Sequence, residues 1–66
     1  MTDDEQWFLD RGFGVQTEHV ERDMFWTHLV DNESRQQIFS DFGRGTTCKE
    51  AVARARQRYE IEQLGT

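Results

Sequence analysis

The sequence predicts a single α+β domain over residues 1–66, with the element order α-β-β-β-α. Three observations predict it: a capped helical segment near each end, an alternating apolar pattern over residues 14–45, and polar turn residues that divide this middle part into three strands. Strands joined by short turns form an antiparallel meander. We therefore expect a three-stranded sheet packed on the C-terminal helix, with a short N-terminal helix beside it.

The N-terminal helix is predicted over about residues 3–11. Thr2 begins a capping-box pattern, and acidic residues fill the first turn, where the helix dipole favours them. Gly12 is the expected left-handed residue after the helix, which allows Phe13 to fold back on Phe8. Because a helix this short is unstable alone in water, it must dock on the rest of the domain.

The three strands are predicted at residues 13–19, 24–30 and 36–42. The turns between them, at residues 21–23 and 31–35, are polar and rich in turn-forming side chains. No proline interrupts any of these segments, so none of them is restricted to an irregular edge. The middle segment becomes the central strand of the meander.

The predicted central strand is apolar on both faces. Met24, Trp26, His28 and Val30 point one way, while Phe25, Thr27 and Leu29 point the other way. The C-terminal helix covers only one face, so we expect the N-terminal helix to cover part of the second face and a partner subunit to cover the rest. A one-residue change of register exchanges the two faces, so the face that meets the helix stays open. The expected interface anchors are Phe25, Trp26, Leu29 and Phe39.

The C-terminal helix is predicted at residues 48–63, after a turn that contains Gly43 and Gly45. Thr47 and Glu50 form a second capping box, in which each side chain receives the backbone N–H of the other residue. A buried stripe follows at helical spacing: Cys48, Ala51, Val52, Ala55 and Tyr59. Cys48 is interpreted as a small apolar filler. Ile61 falls outside the stripe, so we expect it to fray or to contact a neighbouring molecule.

Charge is divided unevenly along the chain. Residues 1–33 carry nine acidic and two basic residues, whereas residues 34–66 carry four acidic and six basic residues, for a net charge of −5. An acidic protein repels phosphate backbones unless its basic residues are concentrated in a patch. The division favours self-association or binding to another charged protein.

No membrane span or secretory signal is predicted, since no apolar run approaches the length of a span and the N-terminus is acidic. A single cysteine forms no internal disulfide, and no Cys/His set has zinc-ligand spacing. We expect a cytoplasmic protein without a metal, a cofactor or a small-molecule substrate. Neither Cys48 nor the histidines have partners at catalytic spacing, so the chain is not expected to be an enzyme.

Residues 43–51 read Gly-Arg-Gly-Thr-Thr-Cys-Lys-Glu-Ala, and this run resembles the start of the last helix in two small α+β families. One is the double-stranded-RNA-binding domain, in which lysines at this helix bind phosphates; Lys49 matches, while the turn at residues 21–23 replaces the groove-reading loop with acids. The other is the HicB-like antitoxin domain. That resemblance implies protein binding and dimerisation through the sheet or its edge.

We therefore expect a non-enzymatic protein-interaction module that forms a homodimer and has a regulatory, HicB-like role. The alternative is a nucleic-acid-binding module that uses the basic side chains of the C-terminal helix and its preceding turn. These are Arg44, Lys49, Arg54, Arg56 and Arg58.

Overall fold

The computed structural model describes residues 3–64, with side chains as far as Glu62. It confirms the predicted α-β-β-β-α fold. The predicted cap at Thr2 lies outside the described residues. The elements are α1 (Asp3–Leu9), β1 (Phe13–Glu21), β2 (Met24–Asp31), β3 (Gln37–Gly45), α2 (Cys48–Tyr59) and a π-helical segment (Glu60–Leu64) that continues α2.

The sheet is an antiparallel meander in the order β1-β2-β3, so β2 is central and both other strands are edges. β1 and β2 are joined by a two-residue turn at Arg22 and Asp23. In the β2–β3 loop, Asp31 Oδ1 accepts the backbone N–H groups of Ser34 at 3.0 Å and Glu33 at 2.8 Å. Both hydrogen bonds favour the carboxylate and so lower the pKa of Asp31 below its ordinary value; the bond from Ser34 has the larger effect and that from Glu33 the smaller.

Helix α1 ends at Leu9, before the predicted end at residue 11, but the turn that terminates it is the predicted one. The backbone N–H groups of Arg11 and Gly12 bond back to the carbonyl groups of Phe8 and Leu9, each at 3.0 Å. Gly12 has φ +89°, the left-handed conformation expected of the residue that terminates the helix. The rings of Phe8 and Phe13 meet edge to face with centroids 6.3 Å apart. This contact docks α1 on the sheet.

The core lies between α2 and one face of the sheet. Its fully buried side chains include Phe8 of α1, Leu29 of β2, Phe42 of β3 and Val52 of α2. Because Leu29 belongs to this core, the β2 face that carries Phe25, Thr27 and Leu29 is the one that meets α2. The other face, with Met24, Trp26, His28 and Val30, is called the open face below.

Gly43 and Gly45 lie within β3, which corrects the prediction that they form a turn before the helix. Neither has a positive φ. A Cβ on Gly43 would collide with the backbone of α2 at Ala51 O and would lie 2.5 Å from Ala55 N. Gly43 is therefore required by the close approach of a helix, and not by turn geometry.

The start of α2 confirms one half of the predicted capping box. Thr47 Oγ1 accepts the backbone N–H of Glu50 at 3.0 Å. The Glu50 carboxylate, however, accepts the N–H of Thr46 at 3.2 Å and not that of Thr47. Cys48 is exposed, so the prediction of a buried filler was wrong. The buried stripe begins one turn later, at Ala51.

Candidate binding surface between β3 and α2

The four predicted interface anchors do not share one surface. Phe25, Leu29 and Phe39 lie on the face that meets α2, and Trp26 lies on the open face. Leu29 is 0% exposed and offers no area to a partner of the folded chain. Phe39 packs at the border of the core, and Phe25 stacks on His19 with ring centroids 4.5 Å apart. Because alternate residues of a strand point to opposite faces, these four side chains do not form one continuous surface of the folded chain.

The open face is largely covered by its own residues, which corrects the expectation of an uncovered apolar sheet. Val30 is 2% exposed, because it packs over Gly14, which has no side chain to displace it. His28 is 9% exposed, and Trp26 is half-buried under the guanidinium of Arg44, 4.9 Å from the ring centroid. Long polar side chains lie over apolar ones here and shield them from water.

His28 is held at the centre of the open face by both ring nitrogens. Its Nδ1 accepts the backbone N–H of Asp41 at 2.9 Å. An accepting Nδ1 carries no proton, so the neutral ring carries its proton on Nε2, which donates to Glu18 Oε1 at 3.0 Å. His28 thus joins the two edge strands across β2, and its geometry is that of a structural link.

A bulge in β3 makes this link possible. Between the pairs Leu29↔Phe39 and Thr27↔Gly43, three residues of β3 stand opposite His28 alone. Asp41 in this bulge has φ +52°, which turns its N–H toward His28. Its side chain accepts a hydrogen bond from Arg44 Nε at 2.8 Å. That bond, assisted by the charge of Arg44, lowers the pKa of Asp41.

Beside the bulge, a groove of about 390 Å³ runs between the exposed edge of β3 and helix α2. Its apolar surface is supplied by Ile61, which is 70% exposed. Phe42 lies beneath it, only 3% exposed, under the guanidinium of Arg58, which is 4.7 Å from the ring centroid. The other exposed large hydrophobic residue in the described part of the chain is Ile38, at 46%. We call this site the β3–α2 groove; its lining residues are Phe42, Gly43, Arg44, Arg54, Gln57, Arg58, Ile61 and Glu62.

Three arginines converge on the groove, and each belongs to a local ion pair. Arg44 pairs with Asp41, Arg54 Nε lies 3.6 Å from Glu50 Oε1, and Arg58 Nε lies 3.1 Å from Glu62 Oε1. The side chains of these arginines are nevertheless 51–63% exposed. Exposed pairs of this kind contribute little to stability, so the guanidinium groups can exchange partners at low cost.

The other two predicted basic residues lie elsewhere. Arg56 donates to Glu60 Oε1 at 2.8 Å and to Asp4 Oδ1 at 3.2 Å, and it lies over the ring of Trp7. It therefore joins α2 to α1. Lys49 is exposed and does not line the groove.

Helical geometry explains how the four basic residues of α2 are divided, and the spacing that determines it can be read from the sequence. Positions 54, 58 and 61 follow one another at three- and four-residue spacing and share a face of a helix. Positions 49 and 56 are two turns apart and share a different face. Phe42 was missed as part of the site, because its place in the groove depends on how α2 lies across β3.

A second depression continues the groove toward the β1–β2 turn. It is lined by Asp23 and Met24 of that hairpin and shares Arg44 and Arg54 with the β3–α2 groove. Glu21 and Asp23, at the tip of the hairpin, are exposed. One continuous surface therefore extends from an acidic hairpin tip, past three arginines, to Ile61.

Within residues 3–64, no group of three or more His, Cys, Asp or Glu side chains has the arrangement of a metal site. No helix in this part of the chain is long and apolar enough to cross a membrane. No protein-family model matches the sequence, and comparisons with curated proteins and with solved structures found no match.

Proposed function

We propose that this chain is a small protein-interaction module, cytoplasmic and regulatory, which forms a homodimer and acts by association without catalysis. The observation that carries the proposal is the exposed Ile61, which lies in the β3–α2 groove beside three arginines. An apolar centre with a charged rim is the common anatomy of a protein interface, and arginine is enriched there.

The composition of the groove favours protein over nucleic acid as its ligand. Glu62 lines the groove beside the arginines, and Asp41 and Glu50 pair with two of them. These carboxylates weaken the attraction of the arginines for any anion, and a phosphate backbone has no apolar group to offer Ile61, whereas a protein partner can cover Ile61 with apolar side chains. The net charge of −5 also repels a phosphate backbone at longer range.

Nucleic-acid binding is the second candidate, and the convergence of Arg44, Arg54 and Arg58 is the observation that favours it. A phosphate-binding surface would weaken steeply with salt, because each neutralised phosphate releases counterions. Binding of a double-stranded RNA at low salt that falls steeply between 50 and 200 mM salt would therefore replace the protein-interaction proposal. The resemblance to HicB-like antitoxin domains stays a prediction.

Replacing Ile61 by aspartate tests the proposed surface. If the groove is buried on dimerisation, a carboxylate at this position loses apolar contact and meets an apolar environment, so the dissociation constant should rise at least about tenfold, or 1.4 kcal/mol. Sedimentation velocity over a micromolar concentration series measures the change.

Ile38→Asp is the matched control, because Ile38 is also exposed but lies outside the groove, in a depression beside Phe13 and Asn32. It should leave the dissociation constant unchanged. A wild-type chain that sediments as a monomer at every concentration would refute self-association, and equal effects of the two variants would refute the groove as its site.

A further inference from the structure

We infer that the occupant of the β3–α2 groove is the acidic β1–β2 hairpin tip of a second copy of this chain, bound in a two-fold arrangement. The inference rests on the proposed function and identifies the groups that make the contact. In it, Glu21 and Asp23 of each copy face Arg54 and Arg58 of the other.

Charge complementarity within the chain is the first argument. Residues 1–33 hold nine acidic and two basic residues, and the groove draws its three arginines from residues 44–58. Asp4 of α1 lies away from the groove, since it pairs with Arg56 on the other side of α2. The hairpin tip is the acidic segment that lies at the same surface as the groove.

The second argument is the position of the two features. Asp23 lines the depression that shares Arg44 and Arg54 with the groove, so acid and base stand side by side on one continuous surface. A two-fold interface uses the same patch on both copies and must be complementary to itself. A patch with an acidic end and a basic end meets this requirement, because the rotation places each end against its opposite.

Apolar surface accompanies these charges at both ends. Met24, next to the hairpin tip, is half-buried, and Ile61 at the far end of the groove is 70% exposed. The same rotation brings the Met24 end of one copy to the Ile61 end of the other. Apolar surface at both ends of the patch is then removed from water, which favours association.

Reciprocal charge reversal tests this pairing. The hairpin variant carries Glu21→Lys and Asp23→Lys, and the groove variant carries Arg54→Glu and Arg58→Glu; Arg22 is unchanged in both. Each variant alone places like charges at both contacts of its own dimer, so its dissociation constant should rise at least about tenfold. In an equimolar mixture both contacts become attractive, and a heterodimer of wild-type affinity should form.

The mixture also controls for folding, because two misfolded variants would not restore each other. Circular dichroism of each variant and native mass spectrometry of the mixture complete the experiment. Two outcomes would overturn this pairing and leave the proposed function intact. In the first, the hairpin variant and the groove variant each associate as tightly as wild type. In the second, both variants are weakened but their mixture does not recover wild-type affinity. A monomeric wild-type chain would overturn the proposed homodimer together with the pairing.

Discussion

At the scale of single residues, Asp41 connects the fold to the groove. Its backbone N–H fixes His28, and its carboxylate holds Arg44, which lies over Trp26 and lines the groove. A left-handed backbone conformation at a bulge is uncommon for a residue other than glycine, although aspartate and asparagine tolerate it. One residue therefore shapes the edge of β3 and orients an arginine of the proposed interface.

Replacing Asp41 by asparagine isolates its charge, since asparagine tolerates the same backbone conformation and keeps the N–H bond to His28. The folded state holds the pKa of Asp41 below its ordinary value of 3.8, so the carboxylate stabilises the fold above that pH. This stabilisation is lost as the pH falls through the lowered pKa. We expect Asp41→Asn to be less stable than wild type at pH 7 and the difference to shrink toward low pH.

Urea denaturation from neutral pH down to acid, at one low protein concentration, measures this difference. Glu33→Gln is the control, because Glu33 is exposed in the β2–β3 loop and its change should produce no comparable trend. A stability difference between Asp41→Asn and wild type that stays constant over the whole pH range would contradict a charge-dependent role for Asp41.

At the scale of the elements, the packing of α2 on β3 positions Arg54, Arg58 and Ile61 beside the strand edge. The helix approaches so closely because Gly43 and Gly45 face Ala51 and Ala55 across the interface. A side chain on Gly43 would meet backbone atoms of α2, which cannot rotate away as a side chain does.

Gly43→Ala should therefore lower the free energy of unfolding by about 1–3 kcal/mol, the usual cost of overpacking a well-packed contact. Ser40→Ala, at an exposed position of the same strand, should change it by less than about 0.5 kcal/mol. Chemical denaturation of both variants makes the comparison. If Gly43→Ala were as stable as Ser40→Ala, α2 could not lie in backbone contact with β3 at Gly43.

The features that the sequence predicted correctly depend on residues close together in the chain. Gly12 ends α1, and Thr47 caps α2, because each acts on backbone groups within four residues. The strands were predicted from their alternation, although β3 extends to Gly45 and carries an unpredicted bulge. Local hydrogen bonding and periodicity determine these elements before any tertiary contact forms.

The features that were missed depend on how distant segments meet. To predict the role of Gly43, one must know that α2 packs along β3. To predict the burial of Val30, one must know that Gly14 lies opposite it in β1. Cys48 fits the stripe by spacing, but the contact with the sheet begins at Ala51. The groove likewise joins Phe42 and Ile61, nineteen positions apart in the chain, through the packing of α2.

At the scale of the whole molecule, 66 residues bury a modest fraction of the unfolded surface, so stability is marginal and a second copy would add to it. Side chains of the chain itself largely cover the open face, and the more exposed of the two exposed large hydrophobic residues in the described part of the chain is Ile61, beside the edge of β3. The acidic hairpin tip and the basic groove lie together on the surface beside that edge. We therefore place association at this edge and not at the centre of the open face around His28.

The most direct test of this central claim is a dilution series of ¹H–¹⁵N correlation spectra on the wild-type chain. As the concentration falls, the amide signals of residues 42–44, 54–62 and 21–23 should shift together, because these segments leave the interface. Signals of the open face around residues 16 and 28 should stay constant. Shifts confined to the open face or to β1, or no shifts at any concentration, would contradict it.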